Sequence, residues 1–267
     1  MINKPFFKIK VLGIAIMACL FVTSCSDDDS NENSSFDITQ QDVMKSLEVE
    51  KISNFIDGMT LDNIAMNRSN AEVSSNFGKA DCADFSVTDT GYTLTFTDCT
   101  TDDGETISGK INVNVVIDNN SVSTTITFEN LTFAGNSING SKSTSYSLNT
   151  VDGGSFIYTV TSDLSITLAD GTTASEMGTK TYRVTELGTA EASYTISGDW
   201  TVTIGSDTYS LRTDPSLQGT FSCDYITTGT LILAKNALTA SINYGDGTCD
   251  NKATVTYPDG TNEEIDL

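Results

Sequence analysis

Strand-like alternation is clearest at residues 156–168, which read FIYTVTSDLSITL. Large apolar side chains occupy every second position at 156–160 and again at 164–168, and a period of two places them on one face of a strand. The same alternation occurs at 92–97 and at 238–244, and Asp-Gly or Asn-Gly turn sequences separate such runs. The sequence therefore predicts an all-β fold built as an antiparallel meander.

The predicted strands have one apolar face and one face rich in Thr, so the apolar face must be covered. The sheet can curl on itself as a roll or barrel, or pack on a second sheet as a sandwich. The sequence leaves these alternatives open. Because no Pro/Gly-rich linker interrupts residues 37–267, we expect them to form a single domain.

One helix is predicted before the strands. Thr39 is followed three residues later by Asp42, a pair typical of a helix N-terminus, and Gly58 is expected to end the helix. Apolar side chains then recur at helical spacing: Met44, Leu47, Ile52, Phe55, Ile56 and Met59. We therefore expect a helix at about residues 40–58 that packs on the sheet.

The N-terminal residues have the pattern of a bacterial lipoprotein signal peptide. Three lysines, at positions 4, 8 and 10, precede an apolar stretch at 11–22 that is too short to span a bilayer. Val22-Thr23-Ser24-Cys25 then fits a lipobox. We expect residues 1–24 to be removed and Cys25 to be lipidated; the alternative is an ordinary secretory signal with a cysteine there by chance.

A polar segment follows the cysteine. Residues 25–36 contain no large apolar side chain before Phe36, so they are predicted to be a flexible acidic tether. The run Asp27-Asp28-Asp29 resembles the signal that exports many Bacteroidota lipoproteins to the outer face of the outer membrane. The resemblance implies a lipid-anchored protein exposed on the cell surface, with a periplasm-facing protein as the alternative.

The composition is strongly acidic. Removing residues 1–24 takes away three of the 14 basic residues and none of the 36 acidic ones, which changes the formal net charge from −22 to −25. Such a charge is repelled by phosphate backbones. We therefore expect no nucleic-acid partner.

Four cysteines remain in the body of the chain, an even number in an oxidising compartment. Of the three pairings that they allow, we predict Cys82–Cys99 and Cys223–Cys249, each stabilising the fold by about 3 kcal/mol. A thiolate metal site is the alternative, but no CxxC spacing supports it.

The predicted pairing comes from strand register. A hairpin that places Val87 opposite Leu94 also places the first two cysteines opposite each other, and one that places Ala234 opposite Leu238 does so for the second two. In both hairpins the cysteines fall on the opposite face from the apolar set. A bulge is expected to correct this, at residues 245–247 in the second hairpin.

Several short motifs resemble a block found in an uncharacterised family of Bacteroidota lipoproteins, over roughly residues 80–267. They are Asp81-Cys82, CTTDDG at 99–104, SGKI at 108–111, TFEN at 127–130, INGS at 138–141 and, most specifically, YGDGTCDN at 244–251. The resemblance implies a secreted, β-rich surface lipoprotein. It supplies no catalytic residues.

The catalytic motifs that rely on histidine are excluded, because the chain has none. Ser-His-Asp and Cys-His nucleophiles and HExxH metal sites therefore cannot form, and GxGxxG, Walker A and GxSxG strings are missing from the sequence. What remains is chemistry by paired carboxylates, as in a glycoside hydrolase. We expect a protein that is not an enzyme.

Two candidate binding features remain. Asp246, Asp250 and Asn251 offer oxygen ligands for calcium in a glycine-containing loop, although an Asp-Gly turn or bulge held by a disulfide is the favoured interpretation. Trp200, the only tryptophan, is a candidate glycan contact or a core residue. We expect no other cofactor.

The predicted function is that of a membrane-anchored exported lipoprotein. It is held by the lipid on Cys25 and serves as a non-enzymatic binding, adhesion or structural module, whose partner is a glycan or a surface protein. One alternative is a carrier that encloses a lipid or other apolar ligand in the curled sheet. Another is a carbohydrate-active hydrolase that uses paired carboxylates.

Overall fold

A computed structural model describes residues 37–69, 82–101, 104–147, 155–186 and 192–267, with the backbone alone for 60–69. The predicted signal peptide, Cys25 and the acidic tether lie outside the described residues. Within the described helix, no segment is long and apolar enough to cross a membrane.

One helix and fourteen strands make up the described fold. The helix, α1, is Gln40–Ser69. The strands are β1 Ala83–Thr88, β2 Gly91–Thr100, β3 Thr106–Asp118, β4 Ser121–Phe133, β5 Asn136–Ser147, β6 Phe156–Thr167, β7 Thr173–Thr185, β8 Ser193–Ile204, β9 Asp207–Thr213, β10 Leu217–Thr220, β11 Thr228–Lys235, β12 Leu238–Asp246, β13 Lys252–Thr256 and β14 Asn262–Asp266.

All fourteen strands belong to one antiparallel sheet, so the predicted all-β meander with a single helix is confirmed. Successive strands are neighbours from β1 to β8 and from β10 to β14. β9 departs from this order, because it pairs with the second half of β8 and with β11, while β10 pairs with the first half of β8. β9 and β10 thus lie end to end along β8, and the cis Asp214–Pro215 peptide lies between them in the chain.

Helix α1 starts where the sequence predicts. The Thr39 backbone N–H donates to Asp42 Oδ2 over 2.8 Å, and the Asp42 N–H donates back to Thr39 Oγ1 over 3.3 Å, which is a reciprocal capping box. The predicted end at Gly58 is wrong, because the helix continues to Ser69. Gly58 does not adopt a positive φ, so its backbone stays helical and provides no C-terminal cap.

The sheet curls around α1. Gln40 donates from Nε2 to Glu263 on β14 over 2.5 Å, at one end of the strand order. Further along the helix, Phe55 stacks on Phe133 of β4 with 4.0 Å between ring centroids, and the Tyr209 hydroxyl of β9 donates to Asp42 over 2.6 Å. Of the alternatives left open by the sequence, a single sheet rolled around a central helix fits these contacts.

The helix packs with a slightly different face from the one predicted. Met59, Ile52 and Ile56 are buried as expected, but Met44 is 41% exposed. Val43 and Val49 take the buried positions at that end of the helix. The predicted face is therefore correct in its second half and rotated in its first.

The first disulfide, Cys82–Cys99, is confirmed with a Cα–Cα distance of 5.6 Å, but the predicted strand register is wrong. Val87 pairs with Tyr92 and not with Leu94, because the turn contains only two residues. A bulge in β2 then adds one residue before Cys99, and the backbone there has a positive φ at Asp98. The bulge turns Cys99 into the core, where it is 1% exposed.

The second disulfide, Cys223–Cys249, is also confirmed, with a Cα–Cα distance of 5.8 Å. Its hairpin is shifted by one residue from the predicted register, so that Leu233 and not Ala234 faces the core. The expected bulge lies opposite residues 228–230, where Gly245 has a φ of +96°. Cys223 and Cys249 themselves lie outside the ladder, before β11 and after β12, so their faces are not set by the strand alternation.

Candidate functional site

A row of polar side chains on α1 faces the inside of the curled sheet. Glu50, Ser53 and Asp57 are spaced three and four residues apart, so they lie on one side of the helix. All three are buried, with exposed fractions of 5%, 0% and 2%. Charged groups at such depth require partners, because an isolated charge in a dry interior is very unfavourable.

The partners come from the inward face of two central strands. Lys142 on β5, and Glu176 and Lys180 on β7, have the same parity as the buried apolar residues of their strands. Their side chains are between 0% and 2% exposed. We call Glu50, Asp57, Lys142, Glu176 and Lys180 the buried charge cluster.

Lys180 bridges the helix and its own strand. Its Nζ donates to Glu50 Oε2 over 2.8 Å and to Glu176 Oε2 over 3.4 Å. It also contacts the Ser53 hydroxyl over 3.3 Å. Lys180 therefore neutralises carboxylates on both sides of the interface between helix and sheet.

Lys142 makes the shortest ion pair of the cluster. Its Nζ lies 2.5 Å from Asp57 Oδ1 and 4.0 Å from Glu176 Oε1. The same ammonium donates to the Ser53 carbonyl oxygen over 2.9 Å and to the Ser53 hydroxyl over 2.7 Å. The Ser53 hydroxyl in turn donates to Glu176 over 2.7 Å, so one continuous hydrogen-bond path joins Lys142 to Glu176.

Two aromatic side chains complete the cluster. The Tyr182 hydroxyl donates to Asp57 Oδ2 over 2.6 Å, and the Trp200 indole N–H donates to Glu50 Oε1. Trp200 is 4% exposed, and Lys180 Nζ lies 4.6 Å from its ring centroid. The role of Trp200 as a glycan contact is therefore wrong, because its side chain is in the core.

The pKa values of the two cluster glutamates are shifted in opposite directions. Burial raises the pKa of Glu50 to about 7, because the nearby charge of Lys180 only partly offsets the loss of water. Burial would also raise the pKa of Glu176, but the ammonium charges of Lys180 and Lys142 outweigh it and hold that pKa at about 2. Burial and the Asp57 carboxylate together raise the pKa of Tyr182 well above its ordinary value.

The sequence contains a signal for this cluster that apolar periodicity alone does not reveal. Tyr182 and Val184 are inward-facing apolar positions, and counting back by twos from them reaches Lys180 and Glu176. A lysine on the buried face of a strand predicts a buried carboxylate elsewhere in the fold. The sequence alone does not tell which of the 36 acidic residues supplies it.

The predicted calcium ligands lie at the end of β12 and in the loop that follows it. Asp246 is the last residue of β12, and Asp250 and Asn251 directly precede β13. Asp246 Oδ1 accepts hydrogen bonds from the Thr248 backbone and hydroxyl over 3.2 and 2.9 Å, and Asp250 Oδ1 accepts one from the Lys252 backbone over 3.0 Å. These are the contacts of Asx turns. Across the described ranges, no group of three or more His, Cys, Asp or Glu side chains is arranged to hold a metal ion. Calcium binding stays a prediction.

Little free space separates the helix from the sheet beside the cluster. A cavity of about 10 Å³ lies among apolar side chains: Ile56, Met59, Tyr92, Leu94, Ile111, Val113 and Ile126. A cavity of that volume has room for about one water molecule, whereas sites for drug-sized ligands measure about 300–1,000 Å³.

The opposite face of the central strands is rich in hydroxyl groups, although one outward row also carries Asp163 and the exposed Met177. Across β5 to β9, outward side chains stand opposite one another in three rows, which are Ser145-Thr159-Thr181-Ser197, Ser143-Thr161-Thr179-Asp199-Arg212 and Ser165-Ser175-Thr203-Thr208. Neighbours within the rows hydrogen-bond to each other, as at Ser145–Thr159 over 2.9 Å and Thr161–Thr179 over 3.2 Å. We call these rows the outer hydroxyl face.

Comparisons of the chain with protein-family models, with curated proteins and with solved structures find no match. The resemblance to Bacteroidota lipoproteins therefore stays a prediction. The described fold defines the protein only as a curled antiparallel sheet around one helix, with a charged cluster inside and hydroxyl rows outside.

Proposed function

We propose that the protein is an outer-membrane lipoprotein, anchored through the acylated Cys25 and exposed on the cell surface, that acts as a non-enzymatic binding, adhesion or structural module. Its partner is a glycan or another surface protein. The sequence pattern around Cys25 and the acidic tether support the anchoring part of this proposal.

The single observation that supports a binding role is the outer hydroxyl face. Five adjacent strands present hydroxyl side chains at the regular spacing of a sheet, about 4.8 Å from strand to strand. Such a surface offers many donors and acceptors without a buried charge, which suits polar partners such as carbohydrate hydroxyls. The hydrogen bonds within each row hold these side chains in fixed directions before a partner binds.

The interior supports neither of the alternatives. The cavity of about 10 Å³ between helix and sheet is far too small for a lipid, so the carrier gains no support from it. The cluster carboxylates face each other, as those of a hydrolase would, but the cluster side chains are at most 7% exposed. A substrate therefore has no route to them in this conformation.

The anchoring part is tested by metabolic labelling with an alkyne-tagged fatty acid, followed by protease treatment of intact cells. We expect wild type to carry the label and to be degraded from outside, and Cys25→Ser to carry no label. Wild-type protein without label, or with label but protected until the outer membrane is broken, would contradict lipidation or surface exposure respectively.

The binding part is tested on an array of neutral and anionic glycans. We expect Thr161→Lys combined with Thr179→Lys to abolish binding, because two ammonium groups break the hydroxyl rows. Asn119→Lys, in the exposed turn between β3 and β4, is the matched control and should bind like wild type. Equal binding by the double variant and the control would rule out the outer hydroxyl face as the glycan site.

A further inference from the structure

The contact between Lys142 and Asp57 holds an amine nitrogen and a carboxyl group directly against each other. Nζ lies 2.5 Å from Oδ1 in a short hydrogen-bonded ion pair. Groups held within about 3–3.5 Å of each other are in the range from which an intramolecular attack proceeds. Both side chains are held on rigid elements, the middle of α1 and the middle of β5, and are 2% exposed or less.

We propose that Lys142 and Asp57 join spontaneously in an intramolecular isopeptide bond that ties α1 covalently to the sheet. The reactants are an ammonium and a carboxylate, and the products are one amide and one water molecule. The Nζ–Cγ bond forms and the Cγ–Oδ1 bond breaks. Neither group is oxidised or reduced, so the reaction requires no co-reactant.

The surrounding side chains supply the proton transfers in the order that the reaction needs. Lys142 first gives a proton to Asp57 Oδ1 across the 2.5 Å contact, which yields a neutral amine and a neutral acid. The amine then attacks Cγ, and negative charge develops on Oδ2. Tyr182 donates a hydrogen bond to that oxygen over 2.6 Å and so stabilises the charge.

The nitrogen must then lose a proton, and a path for it exists. Lys142 Nζ donates to the Ser53 hydroxyl over 2.7 Å, and that hydroxyl donates to Glu176 Oε1 over 2.7 Å. Glu176 accepts the proton through Ser53. Oδ1 takes up a second proton by way of Nζ, the atom that contacts it, and leaves as water, while Glu176 gives its proton back along the same path. Glu176 is thereby regenerated and acts as a proton shuttle.

Burial favours the amide over the ion pair. Burial removes the water around the two charged groups. Their mutual attraction makes up for only part of the free energy of hydration that is lost. The amide is neutral and releases a water molecule from a site that is otherwise tightly packed. The fixed geometry adds an effective concentration of roughly 10⁵–10⁸ M over a reaction between free molecules.

Lys180 provides an internal contrast. It is equally buried, but its shortest carboxylate contact is 2.8 Å, to Glu50, against 2.5 Å between Lys142 and Asp57. The carboxylates around Lys180 raise the pKa of its ammonium although burial alone would lower it. Its nearest side-chain amide oxygen, on Asn54, is 3.5 Å away. Lys180 therefore keeps its proton and is not the nucleophile.

Peptide mapping of the whole chain tests the bond. Trypsin does not cut after an acylated lysine, so the linked protein yields residues 52–68 joined to the uncut segment 111–180, lighter by one water than the two together. Unlinked protein yields separate peptides 52–68, 111–142 and 143–180. We expect the linked product from wild type and from the matched control Lys51→Arg, at an exposed position of α1, and none from Lys142→Arg.

The shuttle role of Glu176 is tested separately, by Glu176→Gln, which keeps the shape of the side chain but cannot accept the proton. We expect its linked fraction to fall at least tenfold in soluble material that retains both disulfides. A wild-type map with only the separate peptides overturns the proposal, whatever the variants do. A linked product that contains Asn54 and Lys180, with loss of ammonia, overturns the assignment to Asp57 and Lys142. An undiminished linked fraction in Glu176→Gln overturns the shuttle.

Discussion

Replacing Lys180 by Met leaves two buried carboxylates facing each other without their shared cation. Glu50 and Glu176 lie 2.8 and 3.4 Å from Lys180 Nζ, and all three side chains are at most 7% exposed. Breaking a buried ion pair by removing one partner costs about 3–5 kcal/mol. For a domain of this size, 1 kcal/mol corresponds to about 2–4 °C in Tm, so we expect Tm to fall by roughly 6–20 °C.

The matched control is Lys51→Met on the same helix. Lys51 is 61% exposed and pairs with Glu105 over 3.2 Å, and such surface pairs contribute about 0–1 kcal/mol. The double variant Lys180→Met with Glu50→Gln should recover part of the lost stability, because it removes one of the two carboxylates that Lys180→Met leaves without a cation. The assay is urea and thermal unfolding, followed by the fluorescence of Trp200. Equal losses of stability for Lys180→Met and Lys51→Met would refute the importance of the buried charge cluster.

Three further perturbations probe the pH response, a disulfide and the close strand packing. The pKa of Glu50 is raised in the folded state from its ordinary 4.5 to about 7, so the folded protein binds a proton more tightly than the unfolded chain. Stability should therefore decline as the pH rises from about 4.5 to 7, and urea titrations should show a weaker decline in Glu50→Gln; an unchanged slope would contradict the assignment. Replacing both Cys223 and Cys249 by Ser opens a loop of 26 residues and should lower the free energy of unfolding by about 3 kcal/mol, with a loss below 1 kcal/mol as the contrary result. Gly178→Ala would place a Cβ 2.5 Å from the Trp200 Cβ at a φ of +145°, so we expect lower stability and a changed near-ultraviolet signal of Trp200, and a wild-type spectrum would contradict this packing.

The strands and the start of the helix could be predicted from the sequence, because they depend on the spacing of apolar residues and on the residues that form turns and caps. Alternation at residues 156–168 predicts the strand that the structure places there, and the capping pair Thr39 and Asp42 predicts the helix start. Both signals are local, since they concern residues at most a few positions apart. The end of the helix was missed because Gly58 can continue a helix as well as end it.

Strand register was harder to predict, because a turn of two or four residues leaves the apolar alternation nearly unchanged. The first hairpin slipped by two residues and kept its faces, and the second slipped by one and exchanged them. In both cases a bulge interrupts the ladder before the cysteines, and the cysteine pair forms beyond the regular register. The disulfide pairs were therefore predicted correctly, although the strand register behind the prediction was wrong.

The buried charge cluster was not predicted from the sequence. Lys142 and Lys180 sit at inward positions of Thr-rich strands, where a charged residue looks like an ordinary solvent-facing one. Their partners Glu50 and Asp57 are about 85–130 residues away along the chain, on a helix whose apolar stripe was the stronger signal. Only the tertiary fold brings these groups together.

The central claim is that α1 is an integral part of the interior, clamped by the buried charge cluster inside the curled sheet. Native-state hydrogen exchange tests it most directly. Because the cluster and the packed apolar face hold residues 43–59 against β5 and β7, we predict that their amides exchange as slowly as those of the two strands, at the rate of global unfolding. Exchange of the helix amides much faster than those of β5 and β7 would show that the helix detaches on its own, and would contradict the account.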